Sequence, residues 1–143
     1  GISTDRRDAR KRMLFARFGI QEFAQVRVRD LSTGMKQKVS LVISLVQDPE
    51  IIIFDEPTNG LDILTAKVVT DFLLDLKEQG KTIIISTHIF SLVEKICDRV
   101  GIIINGRMAA CEDLWTLCGD KSLEDRFFEI YEAVNGEDEN HDK

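Results

Sequence analysis

Asp55 and Glu56 close a short apolar run, Ile51 to Phe54, and Thr87 and His88 follow a second one, Thr82 to Ser86. An acid at the end of a buried strand can hold a hydrated Mg2+, and a second acid beside it can orient or deprotonate a water. Adjacent acids also mark many ordinary strand ends at a surface, so the pair gains meaning only from what accompanies it. Ser32 and Gly34 open a helical stretch. A helix N-terminus with free N–H groups is an anion site, and a glycine there lets backbone approach a phosphate with no Cβ in the way. Two of these polar residues have simpler roles open to them: His88 as a cap for the helix beginning at Ile89, and Asp62 as the N-cap of the helix that starts there.

Periodicity supplies the elements that must position these groups. Residues 4 to 17 read as a helix, and a shorter one around Ile20 to Ala24 follows Gly19. Val39, Val42, Ile43 and Val46 recur at helical spacing, with Ser32 as N-cap and Pro49 beyond the end. Ile51 to Phe54 is β-branched and continuous, the pattern of a strand buried on both faces. Val69, Phe72, Leu73 and Leu76 mark the next helix, which Gly80 ends, before a second buried strand at Thr82 to Ser86. Ile89, Leu92, Val93 and Ile96 give a third amphipathic helix, and Val100 to Ile104 a third buried strand. Strands alternating with helices predict an α/β fold, a parallel sheet with right-handed crossovers. In such a sheet ligands bind outside the carboxyl ends of the strands, where Asp55, Glu56, Thr87 and His88 fall. Asn105-Gly106 signals a hairpin returning through Arg107 to Cys111. Ser122 with Asp125 resembles a capping box for a last helix carrying Leu123, Phe127, Ile130, Tyr131 and Val134.

Composition bounds the possibilities. The chain has 143 residues, 43% hydrophobic and 31% charged, with a net charge of −6. That is enough for an ordinary core, which excludes an intrinsically disordered chain or a disulfide scaffold. The longest apolar runs fall far short of the ~18 residues that cross a bilayer, and no apolar segment follows the basic amino terminus as a signal peptide requires. The expected location is cytoplasmic. Cys97, Cys111 and Cys118 have no CxxC spacing and read as free thiols. The net charge argues against a nucleic-acid partner. Arg6, Arg7, Arg10, Lys11 and Arg12 read as a solvated helix face, since no aromatics interleave with them.

Three runs then stand in order: Leu31-Ser32-Thr33-Gly34-Met35, Ile51 to Asp62, and Ser86-Thr87-His88. Together they resemble the second half of an ABC-type ATPase domain. Leu31 to Met35 resembles the family's signature motif LSGGQ, with Thr33 for its first glycine and Met35 for its glutamine. Ile51 to Glu56 resembles the Walker B strand with its catalytic glutamate, Asn59 to Asp62 the D-loop, and His88 the switch histidine. The Ser-Thr-Gly-Met and Thr-Asn-Gly-Leu-Asp variants are similar to the ATPase subunits of bacterial drug, sodium and polysaccharide exporters. The resemblance implies that Asp55 binds Mg2+ through water, Glu56 acts on the attacking water and His88 contacts the γ-phosphate of ATP. It also implies that Ser32, Thr33, Gly34 and Met35 meet nucleotide held by the opposite protomer, and that Asp62 lies at that interface. Implied partners are a second nucleotide-binding protomer and a transmembrane permease, which would hold the chain at the inner face of the plasma membrane and choose the exported substrate.

The family's P-loop, GxxxxGK[ST], is missing from the sequence. Gly101 to Gly106 has the glycine spacing but runs into Arg107-Met108 within a hairpin, and Gly80-Lys81-Thr82 has the ending but carries Asp75 where the first glycine belongs. The resemblance therefore implies the carboxyl-terminal part of a P-loop NTPase core that binds ATP weakly or not at all by itself. Its expected parts are a helical-subdomain portion over 1–48, the Walker B, D-loop and H-loop half over 49–111, C-terminal helices over 112–135 and a flexible tail over 136–143. The missing strand would lie between the second and third strands, leaving edges that invite a homodimer or a swap unless the sheet closes up. Two alternatives stay open: a non-catalytic module supplying the signature motif in trans to a complete ATPase, and the head of a DNA-repair or chromosome-structure ATPase, which usually adjoins heptad coils absent here.

Overall fold

Residues 4–138 are described in a computed structural model of the chain. The chain divides into two compact units, Gly1–His88 and Ile89–Lys143.

The first unit opens with α1 (Thr4–Phe18), which Gly19 ends in a left-handed conformation, φ 64°. Short 3-10 turns at Ile20–Phe23 and Val28–Asp30 lead to α2 (Thr33–Leu45). Ser32 caps α2 as expected, its Oγ accepting from the Met35 N–H at 3.3 Å. The buried face of α2 is Leu41, Val42 and Leu45, while Ile43 is exposed, so the apolar stripe is phased differently from the expected one. Leu41 and Leu45 share a face one turn apart, and that pairing turns Ile43 outward.

Next come β1 (Ile51–Asp55), α3 (Ile63–Glu78) and β2 (Thr82–Ser86). Asp62 caps α3, accepting from the Thr65 N–H at 3.0 Å and its hydroxyl at 2.7 Å. Those bonds, the side-chain one foremost, hold the Asp62 carboxyl below its ordinary pKa. Gly80, at φ 80°, ends the helix in a Schellman turn, with Gly80 N–H on Lys77 O and Lys81 N–H on Leu76 O. Val69, Phe72, Leu73 and Leu76 form the buried stripe the spacing predicts. Phe72 meets Phe18 edge-on at 5.4 Å, and Arg17 lies over the Phe72 ring while pairing with Asp75 at 2.6 Å.

β1 and β2 pair in parallel, Asp55 opposite Ser86. They are not buried on both faces. Ile52 and Phe54 turn into the core, whereas Ile51, Ile53 and Ile84 are exposed on the other side. A continuous apolar run is buried on both faces only when both are covered, and here alternation along the strand divides it.

The basic residues of α1 are not all solvated. Asp48, itself left-handed at φ 54°, takes ion pairs from Arg10 at 3.0 Å, Lys81 at 3.2 Å and Arg6 at 3.4 Å. Arg10 also donates to Leu45 O at 2.8 Å, and Lys81 pairs with Glu50 at 2.9 Å. Burial works against the Asp48 carboxylate, yet the Lys81 hydrogen bond and the charges of Arg10, Lys81 and Arg6 outweigh it and hold the pKa below the ordinary range.

The second unit contains α4 (Phe90–Ile96), β3 (Arg99–Ile104), β4 (Arg107–Asp113), α5 (Leu114–Cys118) and α6 (Leu123–Asp138). The expected hairpin forms, with Asn105 and Gly106 both at positive φ and a register irregularity after Ile102. β3 pairs with β4, and β1 with β2, in two separate sheets instead of a single parallel one. Ile103 is exposed, so β3 is also covered on one face only. Ile102, Ile104, Leu117 and Leu123 make the core of this unit, with Phe90, Phe127, Ile130 and Val134 packed around it. Tyr131 stacks on Phe127 from the solvent side, 6.2 Å between rings. Ser122 accepts from the Asp125 N–H at 3.0 Å, and Glu94 accepts from the Leu123 N–H at 2.8 Å. α6 continues past Gly136 to Asp138, and the remainder of the expected tail lies outside the described residues. The three cysteines are free thiols.

Candidate active site

Parallel pairing delivers the residues after β1 and β2 to the same end of the sheet. The Glu56 N–H donates to Ser86 O at 2.9 Å, which carries the pairing one residue beyond β1. Glu56 itself is left-handed, φ 45°, and the Asn59 N–H closes a turn onto its carbonyl at 3.0 Å. The chain thus bends sharply at the second acid, aiming its carboxylate back across the end of β2.

Three groups meet that carboxylate. Thr87 Oγ1 donates to Oε2 at 3.2 Å, the His88 N–H donates to Oε1 at 3.2 Å, and His88 Nδ1 lies 2.7 Å from Oε1. A carboxylate accepts, so a hydrogen bond here takes the ring tautomer with its proton on Nδ1. The Glu56 side chain is 27% exposed and the imidazole 75% exposed, which leaves the ring open to a ligand while its base is fixed. The structure gives His88 this partner in place of the capping role: Ile89 occupies the cap of α4 and makes no side-chain cap bond. Asp55 is exposed beside Glu56 and accepts from the Ser86 hydroxyl.

Ser32 and Thr33 are exposed at the start of α2, with Gly34 and Met35 half-buried. This corner faces the loop before α3. A Cβ built on Gly34 would lie 3.6 Å from Gly60 O and 3.8 Å from Leu61 Cδ2, ordinary contact distances, so packing does not demand the glycine. Gly60, at φ 72°, does require its conformational freedom. Asp62 ends that loop. Gln37, one turn into α2, reaches the carbonyls of Glu56 and Pro57 at 3.5 and 3.4 Å. The sequence places Thr87 at this strand end but assigns no role to it, to Ser86 or to Gln37. A polar residue at helical spacing from Gly34 was the available signal for Gln37.

No trio of His, Cys, Asp or Glu among the described residues could cage a metal ion. Mg2+ does not need one, since it keeps several waters and takes one or two carboxylates together with substrate phosphates. The exposed Asp55 carboxylate beside the Ser86 hydroxyl suits that donor set. Chemically, the end of the sheet offers an acid for a hydrated cation, a second acid for a water and an imidazole for an anion.

The family model described as ABC transporter matches residues 3–59. The ABC transporter ATP-binding protein NatA of Bacillus subtilis is 41% identical over 108 residues, covering 76% of this chain and 44% of the relative. A Nod factor export ATP-binding protein I from Neorhizobium galegae is 45% identical over 87 residues, 61% of this chain and 25% of the relative. The chain therefore spans less than half the length of these relatives. Among solved structures, an ATP-binding subunit of an ABC transporter superposes with a TM-score of 0.85 at 30% identity, over 91% of this chain and 56% of that one. An ATP-binding cassette in a dimeric, post-hydrolysis state bound to ADP and Pi gives 0.68 at 26% identity, over 80% and 50%.

Proposed function

From a chain that belongs to the ABC transporter ATP-binding family, we propose the hydrolytic half of an ATPase site, in which Asp55, Glu56 and His88 act on nucleotide whose phosphates are cradled by a P-loop this sequence does not contain. The observation that carries the proposal is the Glu56–His88 pair, 2.7 Å apart at the carboxyl end of the parallel strands, with Asp55 next to it. Mg2+ bound with the nucleotide supplies charge neutralisation on the phosphate oxygens. Asp55 would hold that ion. Glu56 orients the attacking water and takes up its proton as oxygen bonds to the γ-phosphorus and the bond to the bridging oxygen of ADP breaks. Thr87 and the His88 N–H keep the carboxylate aimed while His88 Nδ1 fixes the ring, leaving the rest of the imidazole for the γ-phosphate. Ser32 to Met35 present the α2 N-terminus to nucleotide on a second protomer, and Asp62 sits at that contact.

In the parent protein this hydrolysis drives export through a transmembrane permease at the inner face of the membrane. The exposed isoleucines of β1 and β2 are the surface through which isolated chains would self-associate. Calorimetric titration with Mg-ATP tests the reading. No binding is expected up to about millimolar nucleotide, because the backbone cradle and lysine of a P-loop carry most phosphate contacts. Binding that disappears in Asp55→Asn would instead reveal a complete site in this chain.

A further inference from the structure

We propose that Gln37 is a positioning residue for Glu56, tying α2 to the backbone turn that aims the carboxylate acting on water. The inference rests on the function proposed above for Glu56, but its geometry does not depend on nucleotide. A long side chain at φ 45° occupies a backbone region it enters only where the surroundings hold it. Ser86 O and the Asn59 N–H hold Glu56 from β2 and from the turn itself. Gln37 holds the turn from α2. Its single NH2 carries two donors, and two successive carbonyls, those of Glu56 and Pro57, lie 3.5 and 3.4 Å away.

These separations are at the long end of hydrogen bonding, so the contact guides the turn without clamping it and responds to small displacements of α2. Gln37 also stands three residues after Gly34 and four after Thr33, on the same helical face as the corner that would meet a phosphate. A displacement of that corner moves Gln37 with it. The aim of Glu56 toward His88 then changes with the position of α2.

The test is a long-range 1H–15N spectrum of the His88 ring, recorded on the whole chain without nucleotide, with Glu56→Gln as the reference for a lost pair. Gln37→Ala and Gln37→Glu, which remove the donors, are expected to move the His88 ring resonances toward those of Glu56→Gln. Gln37→Lys, which keeps a donor on a long stem, is expected to leave them near the unmutated positions. A merely structural role would lower the melting temperature and leave the ring signals in place. The proposal is overturned if both donor-removing variants leave the His88 signals unmoved, or if the lysine variant shifts them as far as alanine does. Independent of any variant, the Gln37 Nε2 protons should exchange with water more slowly than those of the exposed Gln47 and Gln79. Equal exchange contradicts the contact. A failure here leaves the hydrolytic role of Glu56 standing, and loss of that role in a domain completed by a P-loop would leave the Gln37 contact standing.

Discussion

Replacing Asp48 should destabilise the first unit in a graded way that separates charge from backbone. Asp48 is 15% exposed and faces Arg10 and Lys81 side chains that are 14% and 9% exposed. Asparagine keeps the shape and tolerates the left-handed φ of 54°. Asp48→Asn therefore removes only the charge, leaving Arg10 its bond to Leu45 O but no counter-charge there, while Lys81 retains Glu50. Breaking a buried pair from one side costs about 3–5 kcal/mol, and partial exposure with the surviving Glu50 contact reduces this to about 2 kcal/mol. For a unit of this size that lowers Tm by about 10 °C. Asp48→Gly should behave similarly, whereas Asp48→Ala adds about 1 kcal/mol because its Cβ opposes the left-handed backbone.

The pH dependence has a definite sign. The folded pKa of Asp48 lies below its ordinary 3.8, so its contribution is complete above that value and is lost as pH falls through the folded pKa. Asp48→Asn should flatten that acid limb. Thermal and urea melts of the three variants at neutral pH, with melts down to acid pH for asparagine, check this. Asparagine as stable as the parent would refute the electrostatic account, and alanine equal to glycine would refute the backbone one.

Other expectations follow from the same structure. Leu73→Ala should cost about 3 kcal/mol, read as a lower urea midpoint at unchanged m, because the side chain is 2% exposed among α3 and its neighbours. Ser32→Ala should cost about 0.5–1 kcal/mol through the lost α2 cap, and Ser32→Gly only a few tenths. Alkylation followed by mass spectrometry should label exposed Cys111 before Cys118, whose thiol is pushed up in pKa by burial and then by the Glu94 charge.

Much of this was legible in the residues. Caps at Ser32, Asp62 and Ser122, the stop at Gly80 and the turn at Asn105-Gly106 each follow from local chemistry, and local chemistry is what a sequence states directly. Strand exposure was not legible. Ile51 to Phe54 looks the same whether one face is covered or both, since that depends on what packs above it and not on the run itself. The phase of α2 was lost for a related reason: Leu41, Val42, Ile43 and Leu45 admit two apolar stripes, and tertiary contact selects one. Arg10 looked like one more solvated charge because its partner, Asp48, lies 38 residues away. At the candidate site the two acids and the histidine could be named from their places at the strand ends together with the resemblance of their motifs to the family's. That Glu56 bends back onto His88, with Thr87 and Gln37 beside it, depends on strand pairing and a left-handed turn that no motif encodes.

The central claim is that Glu56 acts on the water that hydrolyses ATP, and the most direct test completes the domain. The chain is joined behind a P-loop-bearing segment, and steady-state ATP hydrolysis is measured for that hybrid and for its Glu56→Gln form. The account predicts Mg-ATP binding by both and a loss of at least about 100-fold in kcat for the variant. A Glu56→Gln hybrid that hydrolyses ATP as fast as its parent would contradict it.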